Sequence, residues 1–91
     1  MKSYSDARRL AQDILPNLPL QFSHDRITYR LNLYNDDDGC SVAEYAAFNN
    51  PPILSVRLDS RDICRAATML LADYQRLRDK HPRLKKVNIM T

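Results

Sequence analysis
Apolar residues recur near the start of the chain at Tyr4, Ala7, Leu10, Ala11, Ile14 and Leu15. Spacings of three and four place them on one helical face, which predicts a helix over about residues 4–15. Ser3 is its natural cap, with Asp6 three residues on. Pro16 stops it, and Pro19 holds residues 17–20 extended.

The pattern then changes period. Ile27, Tyr29, Leu31 and Leu33 alternate with Thr28, Arg30 and Asn32, which predicts a half-buried strand over Ile27–Tyr34. The run Asn35-Asp36-Asp37-Asp38-Gly39 follows as a turn, and Gly39 can take the left-handed position that a bulged hairpin needs.

Residues 40–48 carry two competing signals. The turn before them favours a returning strand. Ser41-Val42-Ala43-Glu44 reads as a capping box, and Ala43, Ala46 and Ala47 favour helix. The turn chemistry is the more specific signal, so a strand is expected. Its outer face then carries either Ser41, Ala43, Tyr45 and Ala47, or Cys40, Val42, Ala46 and Phe48.

After Pro51-Pro52, Leu54, Val56 and Leu58 mark a further strand. The apolar stripe Ile63, Ala66, Ala67, Leu70, Leu71, Tyr74 and Leu77 then predicts a helix of about 20 residues. Asp59 or Ser60 is expected to cap it, with Asp62 in its first turn. Pro82 ends it.

The expected fold is therefore one α+β domain over residues 1–91, ordered α-β-β-β-α. It is a two-layer sandwich, with a three- to four-stranded antiparallel sheet and both helices on one face. Leu84–Met90 is the candidate for a final strand.

Composition narrows the function classes. The chain has one glycine in 91 residues. Phosphate-cradling loops need several, so nucleotide-binding loops and the G-x-S-x-G elbow are excluded. Cys40 and Cys64 form no C-x-x-C pair, and no apolar segment follows the first basic residues as a secretory signal would require. Two reduced thiols in a cytoplasmic protein are expected. No stretch reaches the roughly 18 apolar residues that span a bilayer, so no membrane role is expected.

Candidate chemistry is sparse. Asp36-Asp37-Asp38-Gly39 resembles part of a calcium loop, but that register puts Tyr34 and Tyr45 at positions needing carboxylates. Two cysteines and His24 and His81 match no zinc spacing. No metal or cofactor is expected. Catalysis would require Cys40 or Cys64 to meet a histidine or Asp25, and no catalytic set is expected. No motif identifies a family.

Charge is unevenly distributed. The net charge of +3 conceals a stretch, 36–56, with four acids and no base. The segment 76–91 is basic instead, through Arg76, Arg78, Lys80, Arg83, Lys85 and Lys86. These six residues are the candidate surface for an anionic partner such as nucleic acid. Arg30, Tyr34 and Tyr45 are the candidate protein-contact face, because arginine and aromatic residues dominate interface hot spots. The expectation is a non-catalytic protein that binds another protein, with homodimerisation as one form of it. Nucleic-acid binding is the alternative.

Overall fold
The computed structural model describes residue 9 and residues 12–80. Four antiparallel strands form one sheet in the order β1-β2-β3-β4: Gln21–His24, Ile27–Asn35, Ser41–Ala46 and Leu54–Leu58. A long helix, Ile63–Lys80, follows. Residues 12–14 are the end of an N-terminal helix, as expected there. The chain is thus a small α+β fold with two helices and a four-stranded antiparallel sheet.

One strand, β1, is not marked by the sequence pattern and precedes the strongest strand; the candidate strand Leu84–Met90 lies outside the described residues. Residues 17–20 are also not simply extended. The amide of Leu18 donates to the Leu15 carbonyl at 3.0 Å, which turns the chain back after Pro16. That turn delivers Gln21–His24 to the edge of β2, where Phe22 opposes Tyr29 and His24 opposes Ile27.

The β1–β2 loop is only two residues long. Asp25 and Arg26 both hold positive φ, at 50° and 67°. Two left-handed residues in a two-residue loop are the type I′ pattern, whose twist suits a hairpin. Neither is glycine, so the turn carries a steric cost of roughly 1 kcal/mol or more per residue. The sheet it closes outweighs that cost.

The β2–β3 turn forms as its sequence predicts. Gly39 has φ 78°, and its amide donates to the Asp36 carbonyl at 3.0 Å. The Asp36 carboxylate also accepts from the amides of Asp38 and Cys40, each at 3.0 Å. Residues 41–46 are accordingly strand, in register Leu31↔Tyr45 and Leu33↔Ala43. The competing capping box loses because β3 lies between β2 and β4, where each residue gains a ladder partner.

One face of the sheet is covered. Phe22, Tyr29, Leu31, Leu33, Ala43, Tyr45 and Val56 pack with Ala66, Ala67, Leu70 and Tyr74 of the long helix. Leu15, Leu18 and Leu20 join the same core from the N-terminal side. The helical stripe is the predicted one, with Ile63, Leu71 and Leu77 on its margin. The cap differs: Asp62 accepts from the Arg65 amide at 2.9 Å, and its carbonyl accepts from Ala66 at 3.0 Å. Asp62 is therefore the cap itself, rather than Asp59 or Ser60.

Candidate functional site
Strand parity decides which side chains remain outside. Tyr29, Leu31 and Leu33 point into the core, so Thr28, Arg30, Asn32 and Tyr34 share the opposite face. Pairing extends that face across β3 and β4. Arg30 sits opposite Ala46, Asn32 opposite Glu44, and Tyr34 opposite Val42. Ser55 and Arg57 continue the Glu44 and Val42 rows.

Arg30 and Tyr34 therefore lie on one surface, about 13 Å apart along β2. Tyr45 does not join them. It lies on the core face, 0% exposed, and its hydroxyl donates to the Pro19 carbonyl at 2.7 Å. The protein-contact face expected from sequence is corrected at that position. Of the two alternatives for β3, the outer set is Cys40, Val42, Ala46 and Phe48.

Phe48 is the residue that sequence reasoning does not place at the centre. The amide of Asn50 donates to the Ala47 carbonyl at 3.1 Å, and Asn49 holds φ 60°. A positive φ at the third position of such a turn is the type II pattern. Phe48 occupies the corner before it and is 89% exposed. Its signal is the Asn49-Asn50-Pro51 breaker following an aromatic residue, which becomes readable once the β3 register is known.

Beside Phe48 lies a hollow of about 500 Å³, lined by Thr28, Arg30, Asn32, Ala46, Ala47 and Phe48. Its lining combines the short side chains of Ala46 and Ala47, the Phe48 ring, the Arg30 guanidinium and the polar groups of Thr28 and Asn32. Such a lining suits an apolar or aromatic side chain that lies next to a carboxylate.

A charged cluster occupies the far end of the same face. Arg57 donates to Asp36 at 2.9 Å and to Asp38 at 3.4 Å, and lies 3.7 Å from Asp59. Arg57 and the Cys40 amide together hold the Asp36 carboxyl below its usual range. The thiol of Cys40 is buried here and approaches Asp59 at 3.8 Å. Burial pushes that thiol above its ordinary value, which keeps it protonated and weakly nucleophilic. The acidic turn thus serves to fasten β4 to the β2–β3 hairpin.

The cysteines do not meet His24 or Asp25. His24 pairs with Ile27 at one end of β2, whereas Cys40 follows Asn35 at the other, about 27 Å along the strand. Cys64, in the first helical turn, lies at the Cys40 end, because Ser60 just before it accepts from the Ser41 amide. His24 instead forms a 3.2 Å contact with Asp25. His81 lies outside the described residues. Both cysteines are free thiols.

Of the basic candidates, Arg76, Arg78 and Lys80 are on the last turns of the long helix, and Arg76 is paired with Asp73. Arg83, Lys85 and Lys86 lie outside the described residues. No helix among the described residues is long and apolar enough to cross a membrane. Comparison with family models, with characterised proteins and with solved structures finds no match to this chain. The class that the fold defines is therefore a small α+β protein with one covered and one open sheet face.

Proposed function
We propose that this chain is a non-catalytic binding module of the cytoplasm that takes another protein on the open face of its sheet. One observation carries the reading: Phe48, almost fully exposed, stands at the hollow that Arg30, Ala46 and Ala47 help to line. A large aromatic side chain held outward on a turn costs solvation and contributes nothing to the core, whereas buried under a partner it becomes a hot spot. The partner contact that fits is an apolar or aromatic side chain flanked by Asp or Glu. The two free thiols fit a reducing compartment.

The test is quantitative capture on immobilised protein. Phe48→Ala and Arg30→Ala should each reduce retention of the bound protein at least about tenfold. Both residues are exposed, so melting temperature should stay within about 2 °C of wild type. Retention unchanged by both substitutions would sink the proposal.

A second reading rests on Arg78 and Lys80, both in the last turn of the long helix and followed in the sequence by Arg83, Lys85 and Lys86. Nucleic acid held there should shift in a low-salt gel at tens of micromolar protein or below, with steep salt dependence. The absence of any shift would remove this reading.

A further inference from the structure
The outer edge of β4 is unpartnered among the described residues, because β4 ends the sheet order. Its geometry shows which groups it offers. The amide of Asp36 donates to the Cys40 carbonyl, so even-numbered residues of β3 bond toward β2. Odd-numbered residues of β3 then bond toward β4, as the Tyr45 carbonyl does with the Ile53 amide. Ala43 opposes Val56 and Tyr45 opposes Leu54, so the even residues of β4 face inward along the ladder. Ser55 and Arg57 are left to point their amides and carbonyls outward.

Edge strands are usually guarded by an outward charge, a bulge or a proline within the strand. Within Leu54–Leu58, β4 has no proline, and its register with β3 is continuous. Its one charged residue, Arg57, is drawn back over the sheet by Asp36 and Asp38 of the β2–β3 turn. The two prolines, Pro51 and Pro52, precede the strand and only limit its length.

We infer that β4 pairs with β4 of a second copy, joining two sheets into one of eight strands. The occupant is indicated by self-complementarity. Outward bonding requires that Ser55 and Arg57 meet outward-bonding residues. The antiparallel two-fold register centred on Val56 does this, setting Ser55 against the second copy's Arg57, and Arg57 against its Ser55. The same register places Leu54 against the second copy's Leu58 and Val56 against its own counterpart, all on the core face. Leu54 and Leu58 are half-buried in the single chain, so each brings apolar surface to this pairing. Apolar meets apolar and polar meets polar at every step. This contact is separate from the Phe48 hollow, which remains free on the outer face.

The test uses the full chain. Analytical ultracentrifugation should give a dimer at about 100 µM that dissociates on dilution. Hydrogen exchange at the Ser55 and Arg57 amides should slow only as the dimer forms. Ser55→Pro removes one outward donor and no ladder bond to β3, so it should stay folded and become monomeric. A monomer at all concentrations overturns the inference. So does a dimer that Ser55→Pro leaves intact while folded. Concentration-independent protection of both amides in a monomer would also overturn it, since the chain's own residues beyond 80 would then occupy the edge. Should Ser55→Pro fail to fold, the exchange measurement on wild type decides alone.

Discussion
Replacing Tyr45 by alanine should cost about 3–5 kcal/mol, measured by denaturant unfolding. The ring is fully buried and touches Phe22 edge-on at 4.9 Å and Tyr74 at 5.8 Å between centroids. Against a total stability of roughly 5–14 kcal/mol for a chain of this size, that loss would leave the variant marginal. Tyr45→Phe keeps the ring and removes the hydroxyl. It should cost about 1–2 kcal/mol, because the buried Pro19 carbonyl loses its donor.

The same hydroxyl makes the fold sensitive to alkali. Burial holds the Tyr45 phenol far above its ordinary value of 10.0, and burial raises Tyr74 as well. The folded state keeps protons that the unfolded state releases. Their contribution is therefore fully present below pH 10.0 and falls as pH rises beyond it. The unfolding midpoint should drop as pH rises beyond 10.0, and less steeply in Tyr45→Phe. Equal slopes in the two proteins would show that Tyr45 is not the group responsible.

Phe22→Ala should be comparably damaging, at about 3–5 kcal/mol. Phe22 lies on β1 and stacks on Tyr29 at 5.4 Å, meets Tyr45 at 4.9 Å and Tyr74 at 5.2 Å. It is the shared neighbour of all three tyrosines in the core. Ile27, across the same hairpin, is 38% exposed, and Ile27→Ala should cost under about 1 kcal/mol. The contrast reverses the order that sequence suggests, where Ile27 opens the best strand pattern and Phe22 belongs to none. Equal losses at the two positions would argue against the β1–β2 pairing.

The pairing also explains why β1 is illegible in the sequence. Four residues, Gln21-Phe22-Ser23-His24, hold a single large apolar side chain, so no alternation can register. The turn after them lacks glycine or asparagine, and Asp25-Arg26 does not advertise two left-handed residues. Only the neighbouring β2 edge makes the segment a strand. The helix cap is ambiguous for a related reason. Asp59, Ser60 and Asp62 are all competent caps, and the choice depends on where Leu58 leaves the sheet.

The candidate site divides in the same way. Arg30 and Tyr34 are readable as outward from the β2 alternation alone. Tyr45 is not, because parity within β3 is undefined until its register with β2 is known. The β2–β3 turn sets that register, pairing Asn35 with Ser41 and hence Leu31 with Tyr45. A shift of one residue would have exposed Tyr45 and buried Ala46. Phe48 becomes a surface residue through the same register and the turn at Asn49.

By itself the sequence determined the elements whose signals are local: β2 by alternation, the Gly39 turn by its one permissive residue, β4 by its leucines and valine, and the long helix by its stripe. Tertiary structure decided everything that needed a second segment. It recruited β1, and it turned Tyr45 inward and Phe48 outward. The physical reason is one of range. Periodicity reports which side of an element is apolar, whereas register and edge depend on which neighbour supplies the hydrogen bonds.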